Sequence, residues 1–137
     1  MKSLSTLIKL QKTHVDEQRQ HLARLQERLD YIEGKIAEVE IRKAREQAVA
    51  ERDAESTQTY GAYLYAAVAM GRALEKERQI AALAVKAAHD RLSELFEEQK
   101  RYEVAEQQRL DAEMHEERRR ETIELDEIGG VMHERQK

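Results

Sequence analysis

Between Leu4 and Val39 the chain sets Leu4, Ile8, Gln11, Val15, Gln18, Leu22, Leu25, Leu29, Ile32, Ile36 and Val39 at alternating steps of four and three residues. This is a heptad seam, the pattern of a helix that buries one stripe by supercoiling against another helix. The stretch Leu22, Leu25, Leu29, Ile32, Ile36, Val39 is apolar throughout. A sustained repeat of 3.5 residues gives a left-handed and extended pairing. Such an architecture has few concave surfaces, so function is expected along its faces and at its ends.

Composition narrows the class further. Of 137 residues, 38% are charged, and proline, cysteine and tryptophan are absent. Long α-helix fits these numbers: the dominant residues are strong helix formers, no proline forces a break, and the apolar content is too ordered for a disordered chain. The 24 basic and 28 acidic residues are interleaved and leave a net charge of −4. Nucleic-acid binders carry a basic excess on one face, so no nucleic-acid partner is expected. No apolar run approaches the roughly 20 residues of a membrane span. The start Met-Lys-Ser-Leu-Ser-Thr-Leu-Ile-Lys-Leu resembles a signal peptide until Lys9 and Lys12 interrupt it. The chain reads as soluble and cytoplasmic, with which the lack of cysteine agrees.

Helix one is expected over residues 3–52, capped by the hydroxyl of Ser3 or Ser5. Gly34 is a local weak point within it, and the seam fades at Lys43 and Glu46. Residues 53–61, Asp-Ala-Glu-Ser-Thr-Gln-Thr-Tyr-Gly, carry the turn signals. Without a turn, one helix of about 200 Å would have to pair with another copy of itself. A second seam runs through Leu64, Ala67, Gly71, Leu74, Arg78, Ala81, Val85, Ala88, Leu92, Leu95, Gln99 and Tyr102. Its smaller residues complement the leucines of helix one, which favours an antiparallel hairpin within one chain. The expected core is Leu22, Leu25, Leu29, Ile32, Ile36, Val39, Leu74, Val85, Leu92 and Leu95.

Folding about residue 56 would set Leu29 opposite Leu83 and Leu4 opposite residue 108, because both helices rise equally per residue. Helix two, over 62–128, then overhangs its partner by about 20 residues. Alternating charges between Glu97 and Glu121 support that single solvated helix through i,i+4 pairs. Gly129-Gly130 is expected to end it, leaving a frayed tail over 129–137. The whole chain is expected to form one all-α coiled-coil domain.

Signs of catalysis are few. His115-Glu116-Glu117-Arg118-Arg119 begins like a zinc-protease helix, but arginine stands where the second histidine would be needed. His14 and His21 lie two turns apart and cannot share an ion. Acid–base catalysis needs a desolvated cleft, and neither a phosphate loop nor a nucleophile elbow is present. No enzyme, metal or cofactor is expected. Arg118-Arg119-Arg120 is the one basic cluster, read either as an ion-paired solvated face or, together with Arg109, as a grip on an acidic partner. Tyr60, Tyr63, Tyr65 and Met70 form an aromatic cluster beside the turn. They either cover the hairpin tip or present a binding surface, since Tyr63 and Tyr65 point to different faces.

The start Leu4-x-x-Leu7-Ile8-x-Leu10-x-Lys12, followed by Glu17, Leu22 and Leu25, resembles the FliJ family of flagellar type III export proteins. Tyr63-Leu64 with Leu74-Glu75 resembles the start of that family's second helix. Arg118 to Glu121, leading to Leu125-Asp126-Glu127-Ile128, resembles its charged C-terminal signature. Small residues around 66–73 depart from the bulkier ones of the family. The resemblance implies a non-enzymatic stalk in the hexameric export ATPase, similar to the gamma subunit of rotary ATP synthases. Contacts with the cytoplasmic domain of the export gate and with export chaperones are implied too, and membrane association only through partners. By this likeness the paired ends, with Arg109, Arg118, Arg119 and Arg120, would meet the ATPase, and Tyr63, Met70 and Leu74 the gate. A structural homodimeric coiled coil and an injectisome-type stalk are the alternatives.

Overall fold

The computed structural model describes residues 3–136, which form two helices, α1 (Leu4–Arg52) and α2 (Ala54–Arg135). The helices pack against each other in an all-α arrangement, with no strand among the described residues. Packing groups these residues into two units, one of 15–94 and one of 3–14 with 95–136.

Within the unit of 15–94, a single residue makes the turn. Asp53 is the only described residue between α1 and α2, and its carboxylate accepts from the Glu55 amide (3.1 Å) and the Ser56 hydroxyl (3.1 Å), an N-cap for α2. The Thr57 hydroxyl donates to the Ala50 carbonyl at 2.7 Å, satisfying the end of α1. The expected turn over 53–61 is therefore corrected. Ser56, Thr57 and Thr59 spend their hydroxyls on nearby side-chain and carbonyl oxygens and leave the helix intact, and Gly61 is helical.

The register moves with the turn. Gln18 donates to the Ala88 carbonyl (3.0 Å), and Arg28 lies 3.9 Å from Glu77, so opposed residues are centred on Asp53 and not on residue 56. Leu29 and Ile32 pack with Ala81, supported by Ile36, Ala82 and Val85. Leu83, expected opposite Leu29, is 67% exposed. Large side chains of α1 thus meet alanines of α2, which lets the axes approach. Leu29 and Ile32 are buried, while Leu22, Leu25, Ile36, Val39, Leu74, Val85 and Leu92 are half-buried, as expected of a layer only two helices thick.

In the other unit, Ser3 caps α1 by accepting from the Thr6 amide at 3.3 Å. The seam carries a polar residue here: Gln11 is buried, and its amide donates to both the Leu95 carbonyl and a Glu98 carboxylate oxygen at 3.0 Å. Leu95 is buried beside it. Pairing residue 11 with 95 brings Leu4 level with Tyr102 and not with residue 108. Tyr102 and Glu106 are half-buried, and beyond them every residue to 136 except Glu116 is exposed. The single helix of 107–135 is longer than expected, about 43 Å at 1.5 Å per residue.

Gly129 and Gly130 do not end it; neither takes a positive φ, and α2 continues to Arg135. Two glycines weaken a helix by about 1 kcal/mol each without blocking it sterically. Closure comes instead from the Gln136 amide, which reaches the His133 carbonyl at 3.3 Å. His133 and Arg135 in the last turn complement the helix dipole. The expected tail of 129–137 is thereby corrected over its described part. Its last residue, Lys137, lies outside the described residues, as do Met1 and Lys2.

Candidate functional site

Small residues open a groove between the helices in the unit of 15–94. Ala66 and Ala67 on α2 leave a hollow of about 460 Å³, walled by Tyr63, Met70 and Leu74 and, from α1, by Val39 and Arg42. Ala67 is buried, so the floor is the seam itself, while Met70 is 57% exposed at the rim. Tyr60 and Tyr63 stack with centroids 6.4 Å apart at 28°, which fixes the Tyr63 wall. Tyr65, on another face, is 81% exposed.

The groove is apolar inside and mixed at its edge. Lys35 pairs with Glu38 at 3.3 Å, whereas Arg42 forms no ion pair among the described residues. Next along α2, Arg78 forks onto Glu75, with contacts of 2.6 and 2.9 Å. That hydrogen bond holds the Glu75 carboxyl below the ordinary carboxylate value. Tyr63, Met70 and Leu74 are thus brought together. Sequence reading misses the α1 wall, because it places Val39 in the core and does not single out Arg42. The signal that could have exposed it is the pairing of Val39 with an alanine, which is too small to fill the space opposite.

The arginines of the single helix divide by face. Arg109 bonds Glu106 (2.8 Å) and Glu113 (2.7 Å), while Arg119 bonds Glu116 (2.8 Å) and Arg120 approaches the same carboxylate at 3.5 Å. These guanidinium hydrogen bonds hold the Glu106 and Glu116 carboxyls below their usual range and push Arg109 and Arg119 up. Arg118 alone of the cluster forms no ion pair among the described residues. All these side chains meet solvent, so the pairs contribute mainly by local helix support.

No group of histidines and carboxylates is arranged to hold a metal ion among the described residues. No helix there is long and apolar enough to cross a membrane. Neither a curated protein nor a solved structure matches the chain. A family model described as "Flagellar FliJ protein" matches residues 1–137, the whole length of the sequence. By this match over its whole length, the chain of two packed helices belongs to the FliJ family, whose members serve flagellar export.

Proposed function

We propose that the protein is a non-enzymatic, cytoplasmic component of the flagellar type III export apparatus that works as a coiled-coil stalk on the hexameric export ATPase. The family match over the full sequence carries this reading. In it, the end formed by the first turns of α1 and the single helix of α2 engages the ATPase, with Arg118 as the cation free to meet an acidic group at once. Arg109, Arg119 and Arg120 would exchange an internal carboxylate for one of the partner, a swap between solvated pairs that costs little. The groove at Tyr63, Met70 and Leu74 takes the cytoplasmic domain of the export gate, and export chaperones are handled through the same exposed surfaces. Membrane association arises only through these partners.

The decisive experiment replaces Arg118, Arg119 and Arg120 together by glutamate. Stimulation of the export ATPase should be lost while helicity by circular dichroism is retained. Undiminished stimulation refutes the arginine contact. Tyr63→Ala with Met70→Ala should weaken gate binding and leave ATPase binding untouched. The homodimeric coiled-coil reading is disfavoured by the seams themselves, since each already faces the other helix of its own chain.

A further inference from the structure

The single helix of 107–135 is not polar all round. On a helix of 3.6 residues per turn, Leu110, Met114, Leu125, Ile128 and Met132 fall within about 60° of arc. All five are exposed, Leu125 at 68%. Glu121 stands on the middle of the same arc, with Glu117 and Glu124 along one edge. None of these three carboxylates has a hydrogen bond or ion pair among the described residues. Arg118 and Asp111 occupy the other edge and offset each other in charge, and Arg135 stands in the last turn. The remaining arginines lie away from the stripe and are engaged by Glu106, Glu113 and Glu116. The helix thus neutralises itself on one side and leaves an apolar stripe with unpaired acids on the other.

We propose that this face docks a basic amphipathic helix of a protein partner, with apolar side chains over each end of the stripe and a lysine or arginine over Glu121. A carboxylate in the middle of an apolar seam is costly to cover unless a cation meets it, so it also sets the register of the partner. A second copy of this chain is the poorer occupant, because self-pairing would bring Glu117, Glu121 and Glu124 against further acids. No described residue of α1 covers the stripe, since that helix begins at Leu4, level with Tyr102. Of the arginines proposed above to meet the ATPase, Arg118 borders this surface while Arg109, Arg119 and Arg120 lie off it, and the stripe itself depends on none of them.

The test uses the full chain and two synthetic amphipathic helices of about 23 residues, the length from Leu110 to Met132. Both carry leucine along one stripe. The first has lysine flanks with one arginine amid the leucines, and the second has glutamate at all those positions. Anisotropy should show the cationic peptide binding at least about tenfold tighter. Leu125→Asp with Ile128→Asp adds negative charge, yet should weaken cationic-peptide binding by about tenfold or more while helicity is retained. Glu117→Lys, Glu121→Lys and Glu124→Lys together should reverse the preference. Binding of neither peptide, equal binding of both, or undiminished binding by the aspartate variant would each overturn the proposal. So would sedimentation equilibrium showing self-association that the aspartate variant abolishes.

Discussion

Residues 22–39 of α1 and residues 107–135 of α2 are both charged, proline-free helices, yet they are held by different physics. The first is fixed by burial: Leu29 and Ile32 lie under Ala81, and the polar residues are left to the outside. The second has no helix of its own chain against it and depends on local terms, chiefly the Arg109 and Arg119 pairs with carboxylates three or four residues away. Composition alone does not separate the two. What separates them is whether apolar residues recur on one stripe without polar interruption, as they do from Leu22 to Val39 and do not around Glu117 and Glu121.

The largest expected effect tests that contrast directly. Ile32, 2% exposed, should cost about 3 kcal/mol of unfolding free energy as Ile32→Ala, read by chemical denaturation. Ile128→Ala, at 56% exposure, should stay within about 0.5 kcal/mol. Similar losses at the two sites would mean that the single helix is covered in the isolated chain. Next, Gly129→Ala and Gly130→Ala meet no neighbouring atom and should each stabilise the last turns locally by about 1 kcal/mol, seen as slower amide exchange over 131–135. No change in exchange would show that these turns are held by something other than helix propensity. The smallest effect is electrostatic. Glu106 and Glu116 are lowered below the ordinary value of 4.5, so their support is complete above that pH and fades as acid protonates them. Amide protection over 106–120 should fall on acidification below that value while 22–39 holds, and a rise would reverse the assigned sign.

Periodicity made the two seams and their mutual packing legible, because a stripe of large residues and a stripe of small ones describe the same interface from both sides. The turn was not legible to the residue. Whether Thr57 breaks a helix or caps one depends on the Ala50 carbonyl being within reach, which only the folded chain decides. That small misplacement is doubled along the hairpin: moving the centre from residue 56 to Asp53 shifts every opposed pair by six, which sets Leu29 level with Glu77 and not with Leu83, a residue that in any case lies off the seam of Ala81 and Val85. The groove was half legible, since Tyr63, Met70 and Leu74 stand out in α2 whereas Val39 and Arg42 matter only through the alanines across from them. The lone helix hid its apolar stripe for a related reason, since the interrupting acids break the repeat that periodicity looks for.

A connection of one residue leaves no slack. An insertion of one amino acid in either limb would rotate everything beyond it by about 100° and turn its leucines outward, with no loop to absorb the change. Lineages carrying this bend can therefore lengthen or shorten the paired limbs only in steps of whole heptads, matched at equal distances from Asp53. The unpaired end is free of that accounting, and length variation among relatives should collect there.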